Sequence, residues 1–154
     1  MSDSPQIVLI DNNQEEREYY AHRLEGSFPD CFIAQASTGH AGLALCKQHP
    51  PDCVVLELDL PDVSGFEVLL RLVPRAYRPE FPVIVLTRVY NLPLLKAAVT
   101  NGAQAALFKS MVSGDVLEKT VFKAMSTLRR DSKHVQRVRT TANALPAVPS
   151  KGSR

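Results

Sequence analysis

Cysteine is scarce in this chain of 154 residues, which has three. Cys31, Cys46 and Cys53 are odd in number and lack metal-type spacing. That argues against a disulfide framework or a structural zinc site and for reduced cysteines, two in strands and one in a helix. Long apolar runs are missing too. The most apolar segments, around Val54 and Val83, break within a few residues, so no membrane span is expected. The opening "MSDSPQ" is acidic and polar, unlike a signal peptide, and the expected location is cytoplasmic. No internal repeat is visible. Neither sign of charge dominates: the net charge is +2, with 22% charged and 45% apolar residues. These are ordinary values for one soluble domain large enough to bury a core.

The charge is unevenly spread. Residues 1–130 carry 13 Lys/Arg against 15 Asp/Glu, and residues 131–154 carry 5 against 1. A mildly acidic domain over residues 5–130 is therefore expected, followed by a basic extension over 131–154. So dilute a basic tail reads as a solvated terminus rather than a nucleic-acid arm.

Within the domain, strand-like and helix-like segments alternate. Gln6–Ile10 is a short apolar strand ending at Asp11, and Asn13 caps a helix that closes at Gly26. Cys31–Ala36 reads as a second strand, and a helix from Thr38 to about Gln48 stops before Pro50-Pro51. Cys53–Glu57 is a third strand, nearly all apolar and β-branched, hence buried on both faces. A loop with Pro61 and Gly65 leads to a helix covering Phe66, Leu69, Leu70 and Val73. Pro82–Leu86, Asn91–Asn101 and Ala105–Phe108 are the next strand, helix and strand, and Ser113 caps a last helix from Gly114. Five strands interleaved with five helices imply an α/β, doubly wound parallel sheet with helices on both faces.

In such sheets the functional crevice lies at the carboxyl ends of the strands. Those ends hold Asp11 and Asn12, then Glu57 with Asp59, then Thr87, then Lys109. Carboxylates suit a divalent cation, while a hydroxyl and an ammonium suit phosphoryl oxygens. Each residue alone has an ordinary explanation, as a helix cap or a surface lysine. Four placements on matching strand ends do not.

At these residues the chain resembles the receiver domains of bacterial response regulators, the CheY-like family. The likeness covers roughly residues 5–128. It is carried by "IVLIDNN", "PDCVVLELDLPDVSGFEVL", "PVIVLT" and "NGAQAALFKS". It implies a flavodoxin-like (βα)5 fold with strand order 2-1-3-4-5 and a part in two-component phosphorelay signalling, without enzymatic activity. It also implies an acidic pocket at Asp11, Asn12 and Asp59, a phosphoacceptor position at Glu57, and Thr87, Ala106 and Lys109 at the phosphoryl and switch positions.

Several of these residues depart from the family pattern. One pocket carboxylate is the amide Asn12, and the acceptor aspartate is Glu57. Arg88 follows the threonine where small residues are usual, Ala106 replaces the switch aromatic, and Ser110 replaces the proline after the lysine. Glutamate carries its oxygens about 1.5 Å further out than aspartate. Misplacement on the order of 1 Å can cost about 100-fold in phosphoryl transfer. Mg²⁺ held by Asp11, Glu57 and Asp59 is expected to be weakened. Glu57 can instead reach Lys109 and Thr87, an imperfect stand-in for a phosphoryl group. Arg88 is placed to reach Glu57 or Asp59, or to remain solvated.

The expectation is a pseudo-receiver, independent of phosphorylation, working by protein–protein contact with a sensor kinase or an adaptor. The alternative is a conventional receiver that accepts phosphate at Asp59. A metal-dependent phosphatase or a flavin carrier on the same kind of sheet fits less well. "DNNQEERE" cannot cradle a phosphate, and Asp11 is followed by two asparagines. Nucleic acid and membrane are not expected partners, the tail being short for an output domain. Helix 4 either opens Leu94 or Leu95 to a partner or is broadly buried; a homodimer, if formed, uses helix 4, strand 5 and helix 5, or the C-terminal helix. There Leu117, Val121, Ala124 and Leu128 start a 4–3 seam that runs on to Val135, Val138, Ala142 and Leu145. Beyond Pro146, disorder is expected.

Overall fold

The computed structural model describes residues 4–127. Its elements are β1 (Gln6–Ile10), α1 (Gln14–Ser27), β2 (Phe32–Ala36), α2 (Gly39–Gln48), β3 (Cys53–Leu56), α3 (Gly65–Leu72), β4 (Val83–Thr87), α4 (Leu92–Thr100) and β5 (Ala105–Phe108). A 3-10 turn, Lys109–Met111, leads to a last helix, α5, over residues 114–127. The strands form one sheet in the order β2-β1-β3-β4-β5. Every pairing is parallel.

Side-chain alternation splits the core into two layers. Val8, Ile10, Val54, Leu56, Val83 and Val85 face Cys46 of α2, Val68 and Leu69 of α3, and Leu95 and Ala98 of α4. Their neighbours in sequence, Ile7, Leu9, Cys53, Val55, Ile84 and Leu86, face Tyr20, Ala21 and Leu24 of α1 and Leu117, Val121 and Ala124 of α5. Apart from half-buried Gln6, the three central strands are buried, which is why they read as continuous apolar runs rather than alternating ones. Arg23 ties the two helices of the second layer together, reaching Asp115 at 2.5 Å and Glu118 at 2.9 Å.

Helix starts follow the capping residues. Asn13, Thr38, Ser64 and Asn91 each accept a backbone N–H from the first turn of their helix. Helix α2 has a second, non-local cap. The carboxylate of Asp62, from the β3–α3 loop, accepts from the Gly39 and His40 N–H groups, each at 2.9 Å. These bonds, that of His40 foremost, draw the Asp62 pKa down to about 2 from an ordinary 3.8. A depressed carboxylate pKa stabilises the fold above the ordinary value, and the effect disappears as pH falls through the folded one. Asp62→Ala is therefore expected to lower the urea midpoint at neutral pH, with the gap to the parent closing between pH 3.8 and about 2. An unchanged gap across that window would contradict the assignment.

The differences from the sequence expectation lie at element ends. Cys31 precedes β2 instead of lying in it, so the strand cysteine is Cys53 alone. Strand four runs one residue later than expected, to Thr87, because that residue pairs with Phe108. Val73 is the cap of α3 and is buried. On α4, Leu95 is buried and Leu94 half-buried, and the apolar side chains that face solvent are Leu92 and Val99. Leu95 belongs to the first core layer, and Leu94 packs against it. The basic extension, the seam from Leu128 onward and the segment after Pro146 lie outside the described residues.

Candidate functional site

Four strands end at one rim. Asp11 follows β1 and is 2% exposed, Glu57 follows β3 and is 1% exposed, and Thr87 ends β4 fully buried. Lys109 follows β5, its side chain 6% exposed. Parallel register brings them level: Ile10 pairs with Leu56, Leu56 with Val85, and Thr87 with Phe108.

Glu57 is the best-satisfied group in the site. Its Oε1 accepts from the Leu58 N–H at 2.8 Å, the Asp59 N–H at 3.1 Å and the Thr87 hydroxyl. Its Oε2 accepts from the Arg88 N–H at 3.2 Å and from the Lys109 ammonium at 2.8 Å. A buried carboxylate is tolerable on these terms only, with a counter-charge and donors on both oxygens.

Lys109 is the hub. Its ammonium reaches Asp11 Oδ2 at 2.6 Å, Glu16 Oε2 at 2.5 Å and Glu57 Oε2 at 2.8 Å, and its nitrogen lies 5.9 Å from the centre of the Tyr20 ring. Burial works against its charge, but the hydrogen bonds to the three carboxylates outweigh burial and raise its pKa above the ordinary lysine range. An ammonium has three N–H bonds. Three carboxylates match them.

Glu16 was not among the site residues expected from the sequence. It also pairs with Arg88 at 3.0 Å. Burial works against its charge, yet its bonds to Lys109 and Arg88 prevail and hold its carboxyl below the usual range. A signal for it exists. In an Asn-x-x-Glu start, the glutamate ordinarily folds back onto the cap N–H. Here the Asn13 N–H donates instead to Asp11 Oδ1 at 2.9 Å, which releases Glu16 to turn toward the rim.

Other residues singled out in the sequence sit differently. Asn12 and Asp59 are exposed, and Asp59 meets Glu57 through its backbone N–H. The Arg88 side chain goes to Glu16, and only its backbone N–H touches Glu57. Ala106 lies half-buried on β5 opposite Val85. An aromatic pair stands two residues along the same strand face, with the Tyr90 and Phe108 ring centres 4.8 Å apart. Gly65 permits the β3–α3 loop to close over β3, since a Cβ there would lie 2.2 Å from the Glu57 carbonyl oxygen.

The family's divalent cation does not fit these residues. Among the described residues no group of three His, Cys, Asp or Glu side chains is placed to hold a metal ion. The Asp11 and Glu57 carboxylates are bridged by the Lys109 ammonium, which supplies their counter-charge. The Asp59 carboxylate, named with them from the sequence, stands on the exposed side of the rim.

The model for the response regulator receiver domain matches residues 7–121, well over half of the chain. The chain belongs to the response regulator receiver family. A transcriptional activator protein, ExaE, of Pseudomonas putida is 30% identical over 73% of this chain and 51% of its own length. The DNA-binding dual master transcriptional regulator RpaA of Synechocystis is 32% identical over 82% of this chain and 50% of its own. The chain thus spans about half the length of these curated relatives. In fold it is similar to the receiver domain of a LuxO-type repressor protein from Vibrio parahaemolyticus, with TM-score 0.76 and 21% identity, covering 84% of this chain and 96% of that one. A CheY-like receiver from Methanospirillum hungatei gives TM-score 0.74 at 21% identity, covering 84% and 99%. This receiver domain therefore has its place in two-component signalling. The family is generally non-enzymatic. Among the described residues no helix is long and apolar enough to cross a membrane.

Proposed function

We propose that this receiver is a cytoplasmic signalling module whose state is set by Glu57 rather than by phosphorylation. The observation that carries this reading is the bonding of the Glu57 carboxylate. One oxygen takes the Thr87 hydroxyl and the other the Lys109 ammonium, the groups suited to hold phosphoryl oxygens. This carboxylate belongs to the chain itself. The rim keeps its charge pattern with no donor, no cation and no hydrolysis. Output then lies in contact with a sensor kinase, an adaptor or a second copy of the chain, through surfaces whose shape does not depend on phosphate. Exposed Leu92, Val99, Met111 and Phe122 on α4, the 3-10 turn and α5 suit such contact. Cys46 and Cys53, both buried as free thiols, suit a reducing compartment.

The test is incubation with phosphoramidate and Mg²⁺, followed by intact mass, amide NMR and sedimentation. The expected result is no added phosphoryl group and an unchanged spectrum and sedimentation coefficient. An adduct mapped to residue 57 overturns the reading. One mapped to the exposed carboxylate of Asp59 would make this a conventional receiver with a relocated acceptor.

A further inference from the structure

Shortening Glu57 would restore the family's acceptor, but a second obstacle lies above it. Glu16 Oε2 takes both the Lys109 ammonium, at 2.5 Å, and the Arg88 guanidinium, at 3.0 Å. Its side chain is 36% exposed and that of Arg88 48%, against 1–6% for Glu57, Asp11 and Lys109 beneath. The pair therefore lies over the buried groups and straps the first turn of α1 to the loop after β4.

We propose that Glu16, positioned by Arg88, is a second lock on this site, independent of the length of the side chain at 57. It acts through Lys109, as a positioning residue. A phosphoryl group arriving at position 57 carries three acceptor oxygens and needs the lysine ammonium to neutralise its charge. In this chain all three N–H bonds of that ammonium are held by carboxylates, and Glu16 is the one nearest solvent. An incoming dianion must expel Glu16 from Lys109, break its bond to Arg88, and approach against its negative charge. The inference rests on the reading of Glu57 above, and the experiment separates the two.

In the reaction used, an introduced aspartate carboxylate oxygen attacks the phosphorus of phosphoramidate. The O–P bond forms as the P–N bond breaks, and the nitrogen leaves as ammonia, taking its proton from water. The background is the full chain with Glu57→Asp and Asn12→Asp, which returns the acidic residues of the family pattern. It is compared with the same chain carrying in addition Glu16→Gln or Arg88→Ala. Phosphoryl uptake is followed by intact mass with Mg²⁺ at low and high salt, and urea midpoints confirm that each variant folds.

With the lock in place the background is expected to label at least about tenfold more slowly than its Glu16→Gln derivative, with Arg88→Ala in between. Added salt should narrow the difference, which a merely structural role would not produce. Equal rates within about twofold overturn the proposal, and so does failure of the Glu16→Gln derivative to label at all. Uptake by the unaltered chain would instead sink the reading of Glu57 and leave the comparison of derivatives intact.

Discussion

Lys109→Met is expected to destabilise the domain by about 3–5 kcal/mol, the usual cost of removing one partner from a buried ion pair. The reason is what remains. Glu57 and Asp11 are almost fully buried, and the ammonium bridging them disappears. Methionine keeps the aliphatic stem, so the loss reports charge rather than volume. The Glu57→Gln variant should soften the effect, because it leaves one fewer uncompensated carboxylate. A cycle of the two substitutions should show coupling of at least about 1 kcal/mol. Urea unfolding at neutral pH measures all four proteins. Raising the pH will not imitate the substitution. The Lys109 pKa lies above its ordinary value of 10.5, so the contribution is fully present below that value and fades only as pH climbs through the folded one. A loss under about 1 kcal/mol would mean that water reaches these carboxylates.

Gly65→Ala should be nearly as costly, at about 3 kcal/mol, the upper end for forcing an extra carbon into a packed site. The added Cβ would sit 2.2 Å from the Glu57 carbonyl oxygen and 2.5 Å from Leu58 Cα. Both obstacles are backbone, so no side-chain rotation relieves them. The Gly65 N–H donates to the Leu58 carbonyl at 2.9 Å, so moving the helix start away from β3 would also break that bond. Because the clash falls on the residue that carries the site, the substitution should also disturb the amide resonances of Leu58 and Asp59, which donate to Glu57. Gly102, by contrast, is held by its backbone angle, φ +107°, and a side chain there would be strained through conformation. Destabilisation by Gly65→Ala without changes at Leu58 and Asp59 would show that the loop, not the strand end, yields.

Much of the site could be read from the chain before folding because strand ends are local features. An apolar run that stops at a polar residue puts that residue at the rim of a parallel sheet, whichever neighbour the strand acquires. Asp11, Glu57, Thr87 and Lys109 were placed in this way, and the register of the strands brings them level. The two-sided burial of β3 was legible for the same reason. Helix α4 was harder. Its sequence is apolar on several sides, and periodicity alone could not say that Leu95 faces the core while Leu92 and Val99 face solvent.

The alternation of strand and helix, the rim residues and the glutamate at the acceptor position are consequences of order along the backbone, where each choice depends on near neighbours. The partnerships are not. Glu16 reaches Lys109 across 93 residues of chain, Asp62 caps a helix that starts 23 residues before it, and Arg88 turns to Glu16. Long polar side chains have several rotamers of similar energy in an isolated segment. Which one is populated depends on charges and donors that only the assembled sheet and its helices bring within reach.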